Sequence, residues 1–164
     1  MTRFHRQLTC LLTTLFVCCS ASANLKYFEA DISESQWQYE GNPLGCNLSH
    51  NIPYYGKASF SKSAGKKTEL GFLLSYKRHE LSAEKDAWVR SIAPSWQPEQ
   101  SSKELGEVKL KKGQAIMSSQ STSSWRLLYE LESGRFPTIS YQDLNQYDSL
   151  VSVALSAVRF KPAY

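Results

Sequence analysis

The stretch Leu70-Gly71-Phe72-Leu73-Leu74-Ser75-Tyr76 decides the fold class, because large apolar side chains recur in it at every second position. The alternation extends to Glu69 and Lys77, which lie on the opposite face from Leu70, Phe72, Leu74 and Tyr76. Period-two spacing of this kind is typical of a β-strand that buries one face. One-sided burial is in turn typical of antiparallel sheets with one solvated face.

The same spacing recurs along the chain. Gly106, Val108 and Leu110 alternate with charged residues, which predicts one buried face and one charged face. Val151–Leu155 alternates apolar and small side chains, which predicts another strand with a solvent-facing side. Seven shorter segments also have strand character and are separated by turns that contain Gly or Pro: Lys26–Asp31, Gln36–Glu40, Cys46–His50, Lys57–Ser61, Ala87–Ile92, Gln114–Met117 and Thr138–Gln142.

One segment has helical rather than strand periodicity. Trp125, Leu128 and Leu131 recur at a spacing of three, which predicts that they lie on one face of a helix, with Leu127 beside them. Ser123 or Ser124 is a suitable N-cap, and Gly134 stands where a left-handed residue ends many helices. The sequence therefore predicts a mainly β domain, an antiparallel barrel-like or two-sheet structure with one short helix.

The N-terminus has the organisation of a secretory signal. Arg3 and Arg6 precede the mostly apolar segment 8–19, and Ala21-Ser22-Ala23 supplies the small residues that a signal peptidase recognises. We therefore expect residues 1–23 to be a signal peptide and Asn24 to begin the exported domain, 24–164. Removal of the signal leaves Cys46 as the only cysteine, which excludes an internal disulfide framework; Cys46 is then either buried and inert or paired with another chain.

The exported domain contains no pattern that indicates catalysis. Its S-x-x-K matches are no more frequent than chance, and G-x-S-x-G is absent. His50 and His79 lack neighbours at metal-ligand spacing, and Lys109 and Lys111 are placed to form the wet face of a strand. The sequence therefore predicts no catalytic, cofactor or metal residues. A net charge of +4 is mild for a chain of this length, so nucleic-acid binding is not predicted either.

Several stretches, in order along the chain, match the pattern of a known family. They are Gln36-Trp37, Pro43-Leu44, Cys46, Leu48, His50, Ile52-Pro53, Gly56, Ala58, Phe60-Ser61, Lys66-Lys67, Pro94, Trp96, Pro98, Leu131-Glu132, Gly134-Arg135, Pro137-Thr138, Ser140-Tyr141-Gln142-Asp143, Val153-Ala154-Leu155-Ser156, Val158 and Phe160. The most specific is the segment Ser133–Asp143. In these residues the chain resembles the N-terminal domain of the MotY family of flagellar motor proteins.

This resemblance implies a periplasmic structural protein and not an enzyme. Such proteins build a ring beneath the flagellar basal body with a MotX-like partner, and that ring helps to recruit or hold stator units for sodium-driven rotation. The family's second, OmpA-like domain has no counterpart in these residues, so peptidoglycan binding is not expected of them. The family pairs the cysteine that matches Cys46 with one beyond Tyr164, and a fragment and a natural short form both stay open.

Loop aromatics are the candidate interface residues: Tyr54, Tyr55 and Trp96. Trp and Tyr often dominate protein interfaces, and the prolines that flank Trp96 limit the entropy lost on binding. The competing interpretation is that Trp96 plugs the end of the barrel. A second function stays open beside the scaffold, namely a free-standing periplasmic module that binds a small ligand or glycan in a barrel mouth.

Overall fold

The computed structural model describes residues 24–65, 69–77, 83–94, 96–97, 101–111, 115–119, 121–143 and 149–163. Within them lie ten strands, one helix and a 3₁₀ turn at Lys161–Ala163. The predicted strands and helix are confirmed, with bounds that move by a few residues, whereas the predicted signal peptide, Lys66-Lys67, His79 and Pro98 lie outside the described residues. The elements are β1 (Leu25–Phe28), β2 (Trp37–Asn42), β3 (Gly45–Ile52), β4 (Gly56–Ser63), β5 (Leu70–Tyr76), β6 (Lys85–Ile92), β7 (Ser102–Leu110), β8 (Ala115–Ser119), α1 (Ser121–Glu132), β9 (Phe136–Asp143) and β10 (Ser149–Ala154).

The strands form two five-stranded sheets. Sheet A has the order β1-β10-β9-β6-β7, and sheet B has the order β2-β3-β4-β5-β8. Among the described residues no ladder joins the sheets, so the protein adopts the two-sheet alternative rather than a closed barrel. The ladders are antiparallel except for β1 and β10, which run parallel from the pair Leu25 and Leu150 to the pair Phe28 and Val153.

The inward faces of the two sheets supply the core, as the one-sided alternation predicts. In sheet B, Phe60 of β4 and Phe72 of β5 are cross-strand neighbours, and the centroids of their tilted rings lie 4.8 Å apart. In sheet A, Val89 and Ile139 occupy paired, buried positions on β6 and β9. Packed sheets lie about 10 Å apart, a gap that branched and aromatic side chains fill from both sides.

Strand β10 departs from one-sided burial. Ser152 and Ala154 point away from the core, yet both are buried. The Tyr27 side chain of β1 reaches across β10 to interact with the Thr138 hydroxyl of β9, and so covers these small residues. The predicted solvent-facing side of this strand is therefore wrong, because a neighbouring strand supplies an aromatic cover.

Helix α1 begins at Ser121, earlier than the predicted cap at Ser123 or Ser124. Its end is as predicted, since Gly134 has a φ of +76°. The Gly134 amide donates to the Leu131 carbonyl and the Arg135 amide donates to the Glu130 carbonyl, which is the Schellman arrangement. This ending turns the chain back so that Arg135 lies beside the helix it has just left.

The buried face of α1 consists of Leu127, Leu128 and Leu131. The predicted member Trp125 is 44% exposed instead. At 3.6 residues per turn, Trp125 lies roughly a third of a turn from the centre of this face. The face that the spacing predicts is therefore buried at its leucines and exposed at Trp125.

A β-bulge interrupts β7. The register with β6 shifts so that Leu105 has no partner, and the adjacent Gly106 has a φ of +115°, which favours glycine. Because the bulge inserts one residue, Leu105 and not Gly106 packs against the core. Val108 and Leu110 keep the predicted inward orientation.

Candidate docking surface

One wall of a groove on the outer face of sheet A comes from Tyr27 of β1 and from the segment that follows this strand. Alternation within β1 turns Phe28 toward the core and Tyr27 outward. Glu29 and Asp31 lie beyond the last residue of β1 and line the groove together with Tyr27. One phenol and two carboxylates therefore belong to the lining of the groove.

The opposite wall and the floor come from β6, β9 and the loop after β6. Ile92 of β6 is paired with Phe136 of β9, and Trp96 packs edge-on against Phe136 with ring centroids 5.8 Å apart. The groove encloses about 450 Å³. Trp96 is 56% exposed at its rim, so the interpretation that Trp96 plugs the end of a barrel is wrong.

Electrostatics in the groove are dominated by Glu29. Its half-buried carboxylate interacts with the Tyr27 hydroxyl. Burial raises the pKa of Glu29, opposed by the hydrogen bond from Tyr27 and reinforced by the negative charge of Asp31. A raised pKa means that the carboxylate charge is incompletely compensated by its surroundings.

Tyr54 lies in the turn between β3 and β4 and is 86% exposed. The Tyr55 amide donates to the Ile52 carbonyl, and Tyr54 has a φ of +62° at the third position, as a type II turn requires. A Cβ on Gly56 would clash with the Ser75 carbonyl oxygen, so the chain needs glycine directly after the turn. The turn thus presents an aromatic side chain in a strained but fixed conformation.

Tyr55, by contrast, is fully buried. Its ring lies 5.4 Å from that of Phe28 and 4.5 Å from that of Tyr76, and burial raises the pKa of its phenol. A residue inside the core cannot offer a docking surface, so the inclusion of Tyr55 among the interface residues is wrong. Alternation of β4 does not explain this, since its buried positions are Gly56, Ala58 and Phe60 and Tyr55 has the opposite parity; the turn before the strand sets which of the two adjacent tyrosines points inward.

The structure does not bring the predicted aromatics together. Trp96 contacts Phe136 at the start of β9, whereas Tyr55 interacts with Tyr141, five residues further along the strand. At about 3.4 Å per residue this separation is about 17 Å. Trp96 and the turn that carries Tyr54 are therefore two sites, and the groove belongs to Trp96.

Cys46 is half-buried near the outer end of β3, opposite Gly41 of β2 and Lys62 of β4. Among the described residues it has no disulfide partner.

His50, also on β3, is buried. Its Nδ1 lies 2.9 Å from the Gln36 carbonyl oxygen, and its ring is stacked on that of Trp37. Burial lowers the pKa of His50, against a smaller opposite effect of that hydrogen bond.

A buried carboxylate that the sequence reasoning missed ties α1 to sheet A. The Glu130 side chain is 3% exposed and accepts hydrogen bonds from Ser91 at 2.6 Å and from Lys103 at 2.7 Å. Arg135 Nε lies 3.3 Å from the same carboxylate. Burial raises the pKa of Glu130, but these hydrogen bonds and positive charges outweigh it and hold the pKa below its ordinary value. Helical spacing carried no signal for it, because Glu130 lies about as far from the centre of the buried leucine face as the exposed Trp125 does.

The described residues contain no group of three His, Cys, Asp or Glu side chains placed to hold a metal ion. Glu130 is satisfied by structural partners, so its arrangement stabilises the fold. In the part of the chain that the structure describes, no helix has the length and apolar character needed to cross a membrane.

Comparison with known proteins gives the family. The family model for the MotY N-terminal domain matches residues 28–164. The sodium-type flagellar protein MotY of Vibrio parahaemolyticus serotype O3:K6 (strain RIMD 2210633) is 37% identical over 141 residues, which are 85% of this chain and 47% of that relative. The chain thus spans about half the length of this relative. Because the family model covers most of the chain, the resemblance drawn from the sequence is confirmed, and the chain belongs to the MotY N-terminal domain family.

Proposed function

We propose that this chain is a structural, non-catalytic component of the flagellar motor that works by docking onto other motor proteins. It resides in the periplasm, contacts the flagellar basal body and a MotX-like ring protein, and so helps to recruit or hold the stator units of a sodium-driven motor. It binds neither nucleic acid nor, through these residues, peptidoglycan.

The observation that carries this proposal is the match of the MotY N-terminal domain over residues 28–164. The surface supports it through two exposed aromatics on short connections, Tyr54 after Pro53 and Trp96 close to Pro94. Proline restricts the free backbone, so less entropy is lost when such a loop becomes fixed at an interface. Large aromatics on the surface are the residues that most often dominate binding.

Deletion of the coding region followed by complementation tests the role in the motor. We expect the deletion strain to lose swimming in soft agar, and plasmid-borne wild-type chain to restore it. Trp96→Ala and Tyr54→Ala should fold normally, because both side chains are exposed. They should restore swimming poorly, because both side chains are the proposed docking residues. Tyr39→Ala is the matched control, since Tyr39 is an exposed aromatic on β2. Normal swimming of the deletion strain would exclude the proposed role.

Periplasmic residence depends on the predicted signal peptide. Intact-mass measurement of protein released by osmotic shock should give a chain that begins at Asn24. Recovery of the uncleaved chain from the membrane fraction would contradict both the cleavage and the location.

A free-standing module that binds a small ligand or glycan is the second candidate function. The groove volume of about 450 Å³ favours it, because small-molecule sites commonly lie between 300 and 1,000 Å³. The barrel mouth expected for this function has no counterpart in the open two-sheet arrangement of the described residues. This candidate predicts unchanged swimming after deletion together with a ligand-induced rise in melting temperature.

A further inference from the structure

We propose that the groove between Tyr27 and Trp96 receives a cationic side chain, foremost Arg, from an apolar segment of the protein onto which this chain docks. The identity of that protein as a motor component rests on the proposed function, whereas the chemistry of the groove does not. Acidic groups and aromatic rings at one place are the basis of the inference.

The walls of the groove are apolar and accessible. Tyr27, Ile32, Ile92 and Trp96 are large side chains that all remain more than a third exposed. Apolar surface gathered in one concave place marks an interaction site more strongly than scattered exposed residues do. The occupant must therefore bring apolar surface of its own.

The charge in the groove has one sign. Glu29 and Asp31 are acidic, and none of the described lining residues is basic. This local acidity contrasts with the chain as a whole, whose net charge is +4. Charge complementarity therefore requires a positive occupant.

Glu29 is positioned to receive that charge. The Tyr27 hydroxyl orients its carboxylate, yet a carboxylate offers about four acceptor positions, so capacity for a further donor is left. The half-buried position raises the pKa of Glu29, which reflects a charge in need of compensation. A cation held beside Glu29 supplies it.

Trp96 and Phe136 favour Arg over a bare ion. A guanidinium stacks on aromatic faces and pairs with a carboxylate through parallel donors, while its methylene stem covers apolar surface. A small inorganic cation would leave the exposed edges of Ile32 and Trp96 in water. An Arg flanked by apolar residues in a protein segment satisfies both the acids and the rings.

Two blocked pentapeptides test this chemistry, one with Leu-Arg-Leu at its centre and one with citrulline, the neutral isostere, in place of Arg. Titration followed by amide and indole NMR shifts should locate the Arg peptide at Glu29–Ile32 and at the Trp96 indole. We expect the citrulline peptide to bind about tenfold more weakly, since hydrogen bonds to charged groups are the stronger class. Equal affinity for the two peptides would overturn the proposal without involving any protein variant.

Protein variants localise the effect. Glu29→Gln combined with Asp31→Asn should abolish the preference for Arg over citrulline, and Trp96→Ala should weaken both peptides. Glu40→Gln and Trp125→Ala are the matched controls, since they remove an exposed carboxylate on β2 and a similarly exposed indole on α1. Loss of the preference in the controls, or its survival in the double variant, would place the binding elsewhere.

Charge reversal in cells separates this inference from the proposed function. A strain with Glu29→Lys and Asp31→Lys should lose swimming, while Glu40→Lys should not. If the deletion strain itself swims, the proposed function fails, and peptide binding still decides the groove chemistry. If the deletion strain does not swim but the double-Lys strain does, the groove is not the docking site and the inference is overturned.

Discussion

Replacement of Glu130 by Ala tests how α1 is fastened to sheet A. The carboxylate accepts from the Ser91 hydroxyl on β6 and from Lys103 on β7, and Arg135 approaches from the turn after the helix. Side chains from β6, from β7 and from the turn after α1 thus meet at one buried charge. Glu130→Ala removes the group to which all three are bound.

The expected loss in free energy of unfolding follows from the interactions that Lys103 and Arg135 keep after the substitution. Removing one member of a buried ion pair costs about 3–5 kcal/mol when the remaining charge stays buried and unpaired. Lys103 is 60% exposed and regains water, and Arg135 keeps the carbonyl oxygens of Ser91 and Ser101 as acceptors. The loss should therefore fall at the low end, about 3 kcal/mol, which lowers the melting temperature of a chain of this size by roughly 6–12 °C.

Urea unfolding followed by tryptophan fluorescence measures this loss, with Glu104→Ala as the control. The Glu104–Arg90 pair has a separation of 3.3 Å, but both side chains are exposed, so its removal should cost about 1 kcal/mol or less. Equal losses for the two variants would refute the argument from burial. Because the folded-state pKa of Glu130 is lowered, its contribution is present above the ordinary carboxyl pKa and is lost as the pH falls through the folded pKa. The difference between wild type and Glu130→Gln should accordingly shrink in acid.

Three further predictions concern the core and β3. Tyr55→Ala should lower the free energy of unfolding by about 3–5 kcal/mol and Tyr54→Ala by a few tenths, as measured by urea unfolding; equal effects would contradict their assigned burial. His50 resists protonation when folded, so the free energy of unfolding should fall as the pH drops below about 6.5, and His50→Gln should lose this dependence in unfolding measured between pH 5 and 8. Cys46 should react with a thiol reagent in the native chain, and Cys46→Ser should change stability by about 1 kcal/mol or less; an unreactive Cys46 in the folded monomer would count against its half-exposed position.

The candidate site was predictable in part. Trp96 stood out because an indole close to Pro94 in a loop has few structural uses other than packing or contact. Tyr27 and Glu29, which line the same groove, carried no such signal. The order of strands in sheet A is what brings β1 and the loop after β6 to one groove. Sequence spacing does not encode which strands become neighbours, so the acidic wall of the groove could not be assigned.

The sequence by itself determined the local structure and the family. Period-two alternation specified the strands, as in Leu70–Tyr76, because successive side chains of an extended backbone must point to opposite faces. Gly134 specified the end of α1, because an achiral residue adopts a positive φ without steric cost. Both effects act within a few residues, and the order of matching residues along the chain identified the family in the same direct way.

Only the tertiary structure decided which faces acquired a cover. Local periodicity says that two sides of an element differ, but burial requires a partner from elsewhere in the chain. Tyr27 covers Ser152 and Ala154, two sheets enclose Tyr55, and Lys103 and Arg135 make a buried Glu130 tolerable. The parallel pairing of β1 with β10 joins the two ends of the described chain, and the free energy of such contacts depends on long-range packing that no short segment contains.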